Sequence, residues 1–172
     1  MTQLLLPLYR RTAQGIPLYQ SRDFQSLYDF QGLGIKVVRE KPRLEERIVV
    51  GTPKDLLPLM EELYKGQEKE IFFSLLLDGR NHLEAVDMIS IGTLNASLVH
   101  PRETYRLAII LSAASIITMH NHPSGDPTPS REDIELAKRL ADAGEIVGIT
   151  MLDSLIFGGG GRYLSMKESN LF

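Results

Sequence analysis

The sequence predicts an α/β sandwich built on a mixed, partly antiparallel sheet, and three observations lead there. β-prone apolar runs at 71–77 and 115–120 are separated by segments with helical starts and helical apolar spacing. Asp78-Gly79-Arg80-Asn81 carries hairpin-turn chemistry, so at least one strand pair must be antiparallel. Strands and helices interleave through residues 51–172, the order expected of helices packed on a sheet.

Each element has its own signal. Thr52-Pro53-Lys54-Asp55, followed by Leu56, Leu57, Leu59, Met60 and Leu63, reads as an N-capped helix ending near Gly66. Glu70 opens the run Ile71-Phe72-Phe73-Ser74-Leu75-Leu76-Leu77, a central strand that enters the hairpin turn. The next strand runs through Ile89 and Ile91 to Gly92. A helix rich in Ala, Leu and Ile spans 102–113, and Ser115-Ile116-Ile117-Thr118-Met119-His120 follows as a strand. A helix over 130–142, closed by Gly144, and a last strand over 146–152 complete the body. Organisation before residue 50 is less clear, so residues 1–50 are expected to form an N-terminal extension and 51–172 the principal domain.

Composition narrows the function classes. With 172 residues, 43% of them hydrophobic, the chain suffices for one domain with a substantial core. No stretch approaches the roughly 20 apolar residues of a membrane span, and Met1-Thr2-Gln3-Leu4-Leu5-Leu6-Pro7 lacks the basic start and long apolar centre of a signal peptide. The absence of cysteine fits a reducing compartment, so a cytoplasmic location is expected. Residues 1–50 carry 8 Lys+Arg against 5 Asp+Glu, a net of +3; residues 51–172 carry 11 against 17, a net of −6. An acidic body disfavours tight non-specific DNA binding, which depends on neutralising phosphates. Arg10-Arg11 and the basic stretch from Lys36 to Arg47 leave contact with nucleic acid or an acidic protein open, beside the simpler reading of a solvated surface.

The chemistry is concentrated at His120-Asn121-His122-Pro123 and Ser130-Arg131-Glu132-Asp133. Histidines at i and i+2 on a strand project to the same side, so both imidazoles can face one ion. Asp133, eleven residues after His122, lies where a returning helix brings a carboxylate back to the strand end. Three protein ligands leave a position for water, the arrangement of catalytic rather than structural zinc. Ser130 and Asp133 also form a good helix start, the serine as N-cap and the aspartate at the third helical position. Gly158-Gly159-Gly160-Gly161 is not a phosphate loop, because no Gly-Lys-Ser/Thr follows; it reads as a flexible turn. Gly32-Leu33-Gly34-Ile35 resembles a DNA-binding hairpin fragment, although a lone Gly-x-Gly is a weak signal, and His82 and His100 are expected at surface or loop positions.

His-x-His-Pro, six residues, then Ser-x-x-Asp resembles the core of the JAMM (JAB/MPN) metalloprotease motif, and His120-Asn121-His122-Pro123-Ser124-Gly125-Asp126-Pro127-Thr128-Pro129-Ser130 is similar to its form in RadC-like proteins. The likeness extends through Gly92-Thr93-Leu94, Pro101-Arg102-Glu103, Gly148-Ile149 and Leu152-Asp153. It implies a three-layer α/β sandwich of the JAB/MPN, cytidine-deaminase-like kind holding Zn2+ on His120, His122 and Asp133. Ser130 would help hold an oxyanion and an upstream glutamate would act as general base. Glu70, fifty residues before His120, matches the position of that base. Glu103 ranks second, since an acid in a first helical turn is ordinary dipole complementarity, and Glu84 is expected to be solvated. Two departures stand out: residues 1–50 do not resemble the helix-hairpin-helix region of longer RadC-like chains, and Asp153-Ser154 stands where those proteins read Asp-His.

The function expected from these residues is zinc-dependent hydrolysis of a peptide or isopeptide bond, with a peptide or ubiquitin-like protein as substrate and homodimerisation through the extension as one option. The rival is a nucleic-acid-associated role in repair or recombination. A non-catalytic MPN-type scaffold is disfavoured, because the full ligand set is present.

Overall fold

The computed structural model describes residues 48–92 and 99–172, together with two short strands nearer the N-terminus. Strands β1 (Arg10–Arg11), β2 (Pro17–Gln20), β3 (Ile71–Leu77), β4 (Leu83–Ile91), β5 (Ser115–Asn121), β6 (Thr150–Gly159) and β7 (Arg162–Ser165) form one sheet in the order β1-β2-β4-β3-β5-β6-β7. Helices α1 (Leu57–Leu63), α2 (Pro101–Leu111) and α3 (Arg131–Val147) complete the body. The fold is the expected α/β sandwich. The sheet is mixed: β3 is antiparallel to both β4 and β5, whereas β5 and β6 run parallel, joined by the helical crossover that parallel pairing requires.

All seven residues of β3 and all seven of β5 are buried, so both strands have two covered faces. Alternation divides them between two cores. Ile71, Phe73, Leu75 and Leu77 pack with Leu56, Leu59 and Met60 of the α1 layer. Phe72, Leu76 and Ile116 pack with Tyr105, Leu107, Ala108, Ala137 and Leu140 of α2 and α3. Each such large apolar side chain contributes roughly 1.5–3 kcal/mol on burial, which holds the helices on opposite faces. His120 follows Ile116 and Thr118 at two-residue intervals and therefore lies on the α2/α3 face, at the end of β5.

Two boundaries differ from the sequence expectation. The third helix does not stop at Gly144 but continues to Val147 and ends on Gly148, whose left-handed backbone closes it. Gly144 is a packing residue instead. A Cβ there would come within 2.4 Å of the Tyr105 hydroxyl and 2.6 Å of the Ile149 carbonyl oxygen, and the same hydroxyl donates to the Leu140 carbonyl at 2.9 Å. The last long strand accordingly begins at Thr150 rather than 146. The N-terminal helix is also split: a 3₁₀ turn over Pro53–Leu56 precedes α1, which carries Pro58 in its first turn. At the body's N-terminal margin, Val49 bridges His82, and β2 extends the sheet beside β4. Gly32-Leu33-Gly34-Ile35, the Lys36 to Arg47 stretch, Thr93 and Leu94 lie outside the described residues.

Candidate metal centre

Residues His120, His122 and Asp133 converge at the end of β5. The Nε2 atoms of the two histidines are 3.1 Å apart, His120 Nε2 lies 3.4 Å from Asp133 Oδ1, and His122 Nε2 lies 3.6 Å from Asp133 Oδ2. Tetrahedral zinc, with ligand bonds of ~2.0–2.1 Å, sets its ligand atoms about 3.3–3.4 Å apart. Two imidazole nitrogens and a carboxylate gathered at close to this spacing suit the ion, and among the described residues this is the only group of its kind.

Each candidate ligand is oriented by its neighbours. His122 Nδ1 lies 2.7 Å from the Asp126 carbonyl oxygen, which can only accept, so Nδ1 carries the proton and the lone pair of Nε2 faces the site. The His120 ring stacks on Phe72, with centroids 5.9 Å apart, and Phe72 is its partner across β3 and β5. Burial pushes the His120 pKa down to about 4, with Asp133 acting against the shift and His122 with it. A neutral, lone-pair-bearing imidazole is the form that binds a metal. Asp133 closes a capping box at the start of α3: its Oδ2 accepts from the Ser130 N–H at 2.8 Å and the Ser130 hydroxyl at 2.6 Å. The Ser130 hydroxyl in turn accepts from the Asp133 N–H at 3.1 Å. Capping and metal binding are thus compatible at these residues, because the cap engages one carboxylate oxygen and Oδ1 faces His120.

The model of the RadC-like JAB domain matches residues 50–171. The chain belongs to this family. A UPF0758 protein of Desulforamulus reducens is 45% identical over 159 residues, covering 86% of this chain and 70% of its own. One of Caldanaerobacter subterraneus subsp. tengcongensis is 42% identical over 171 residues, covering 92% and 73%. One of Methanosarcina mazei is 47% identical over 124 residues, covering 72% and 54%.

Within this RadC-like JAB domain, Glu70 precedes β3 by one residue. It shares a backbone face with Phe72, two residues on, whose register partner is His120; continuing that register sets position 70 opposite 122. Its backbone is fixed by Asn121, a residue the sequence reading did not single out. The buried Asn121 amide accepts from the Ile71 N–H at 2.8 Å and donates to the Lys69 carbonyl at 3.1 Å, bracketing Glu70 on both sides. Glu103 forms ion pairs of 3.1 Å with Arg102 and 3.0 Å with Arg106 in the first turn of α2. Glu84 is partly buried on β4.

The remaining motif residues have structural partners. His100 caps α2, its Nδ1 accepting from the Arg102 N–H at 3.1 Å, and His82 Nδ1 lies 2.9 Å from Asp78 in the hairpin turn. Ser154 is buried one row below His120, accepting from the Thr118 hydroxyl at 3.0 Å. Asp153 accepts from the Ser154 and Lys167 N–H groups at 2.7 and 3.0 Å and pins the C-terminal segment to β6; its own burial raises its pKa. No helix among the described residues is long and apolar enough to cross a membrane.

Proposed function

We propose that this RadC-like JAB domain is a zinc-dependent hydrolase that cleaves peptide or isopeptide bonds, with a peptide or a ubiquitin-like protein as substrate. The observation that carries the reading is the convergence of three side chains at a strand end: the Nε2 atoms of His120 and His122 lie 3.1 Å apart, and the Asp133 carboxylate faces both, Oδ1 at 3.4 Å from His120 and Oδ2 at 3.6 Å from His122. When bound, zinc supplies an acidified water and polarises a carbonyl oxygen. Glu70 would hold the transferred proton at its carboxylate; what supports it is that extending the β3–β5 register past Phe72↔His120 sets its backbone opposite His122. Ser130 fixes the Asp133 carboxylate by donating its one hydroxyl proton to Oδ2; turned from Oδ2 to a developing oxyanion during the reaction, that proton would supply a donor worth roughly 3–4 kcal/mol in comparable enzymes.

The test combines metal content with cleavage. Purified protein should contain about one zinc per chain, and Glu70→Gln should keep that zinc and the melting temperature while losing most turnover on peptide or ubiquitin-like conjugates. Zinc-free protein after exposure to the ion, or undiminished turnover in Glu70→Gln, defeats the assignment. Tight duplex DNA binding with a steep salt slope, and no cleavage, would favour the nucleic-acid role against the net charge of −6 over residues 51–172.

A further inference from the structure

The glycine run between β6 and β7 is built into the wall of the metal centre. Gly159 pairs with Arg162 across a two-residue turn in which Gly160 and Gly161 have φ of +59° and +75°. Both signs are those of the hairpin turn that matches strand twist. A register shift between Phe157 and Gly159 leaves Gly158 bulged out of the ladder. The bulge lies against the loop that follows His122: a Cβ on Gly158 would come within 2.6 Å of the Gly125 carbonyl oxygen and 2.9 Å of Pro127 Cδ. The backbone contact leaves no side chain to move aside.

Arg162 closes the same contact from the other side. Its guanidinium donates to the Gly158 and Gly159 carbonyls, each at 3.3 Å, and Nη2 would lie 3.1 Å from a Cβ at Gly125. The hairpin is anchored to the opposite layer by the Gly161 N–H, which donates to Glu61 on α1 at 2.7 Å. The loop it meets carries the Asp126 carbonyl that fixes the His122 ring, and the His122 N–H donates to the Phe157 carbonyl at 2.8 Å, one residue before the bulge.

We propose that Gly158 and Arg162 are positioning residues for the metal centre: they seat the 123–129 loop so that the Asp126 carbonyl locks His122 with Nε2 facing the ion. This rests on the metal-binding reading above. A side chain at 158 would displace Gly125 and Pro127, and with them Asp126 between the two. The His122 ring would then lose its acceptor and sample both tautomers. Substituting a group that orients a metal ligand weakens metal binding by roughly 10–100-fold.

Two measurements on the full chain test this. Zinc dissociation constants come from competition with a chelator, and long-range proton–nitrogen spectra of the metal-free protein report which His122 nitrogen carries the proton. Gly158→Ala and Arg162→Met should each weaken zinc by roughly 10–100-fold and move His122 from the pure Nδ1–H form towards a mixture. Arg162→Lys should recover part of the loss, since one ammonium can reach a carbonyl. Gly79→Ala, where a Cβ meets nothing within 4 Å, should match the parent in both. Unchanged zinc affinity and an unchanged tautomer in Arg162→Met and any folded Gly158→Ala overturn the proposal, even if melting temperatures fall. Parent protein that binds no zinc, with the tautomer still shifting in the variants, defeats the metal reading and leaves the seat standing.

Discussion

His120 and His122 stand two residues apart and offer the same atom to the same point, yet the protein holds them by different physics. His120 is a core residue, 1% exposed, stacked on Phe72, and its Nδ1 has no hydrogen-bond partner among the described residues. His122 lies beyond the strand end, 14% exposed at its side chain, with its ring fixed by the Asp126 carbonyl and its backbone by Phe157. Packing can place a ring but cannot choose its tautomer; a carbonyl chooses the tautomer and needs a loop to carry it. The candidate centre therefore combines a histidine fixed by the fold with a histidine fixed by a loop. Damage to the first should appear in folding, and damage to the second in metal binding alone.

Removing either ring is the largest expected effect and separates the two modes. His120→Ala and His122→Ala should each reduce zinc from about one per chain to near zero, because two remaining ligands do not hold the ion. Only His120→Ala leaves a hole in the α2/α3 core, so its metal-free form should also melt several degrees lower. Equal melting temperatures for the two metal-free variants would show that packing does not distinguish them.

The pH response sharpens the same contrast. Burial holds the His120 pKa at about 4, below the ordinary imidazole value of 6.5. Above pH 6.5 folded and unfolded chains are both neutral there, and the group contributes no slope. Between 6.5 and about 4 the unfolded chain binds the proton first, so metal-free protein should lose stability steadily as pH falls through that window. Urea titrations at pH 7.5, 6 and 5 check this. The slope should diminish in His120→Ala and persist in His122→Ala.

Much of this centre could be read from residue spacing, because its parts obey local rules. The i, i+2 histidines need only a strand, and the Ser130–Asp133 box needs only a helix start. The apolar run from Ile71 to Leu77 foretold a central strand, but not that its side chains would be sorted into two cores. What escaped the sequence depends on contacts distant along the chain. Gly144 resembles a helix stop until Tyr105, on another helix, is seen to occupy the space a Cβ would take. Asn121 looks like a spacer between two ligands, and its role requires β3 and β5 to be neighbours. The glycine run carries hairpin signals in its own residues, whereas its contact with Gly125 arises only once β6 lies beside β5.

Asn121 offers a smaller perturbation that touches neither histidine's support. It lies on the opposite face from both rings and holds the backbone on either side of Glu70. Asn121→Ala leaves the buried Ile71 N–H without its acceptor, which costs about 1–3 kcal/mol. Zinc affinity should stay within a few-fold of the parent while turnover falls, because the proposed base moves and the candidate ligands do not. A large loss of zinc would show instead that the two strands position the ligands jointly.

Ser130 should give the smallest effect on stability and the most diagnostic one on the third ligand. Its hydroxyl makes two bonds with Asp133, accepting from the N–H at 3.1 Å and donating to Oδ2 at 2.6 Å. Ser130→Ala removes both and should cost about 1 kcal/mol, a drop of roughly 2–4 °C for a chain of this size. Ser130→Thr keeps both bonds and should stay near the parent. Ser130→Asp separates them: its carboxylate can accept from the Asp133 N–H and restore the cap, but it cannot donate to Oδ2 and places a second negative charge against the ligand carboxylate. Its stability should therefore be no better than that of Ser130→Ala, and turnover should fall below it, since negative charge beside a developing oxyanion opposes the reaction. Melting curves, zinc titrations and turnover on the three variants decide the matter. Full stability and full activity in Ser130→Asp would reduce Ser130 to a helix cap and leave Asp133 to be held by α3 alone.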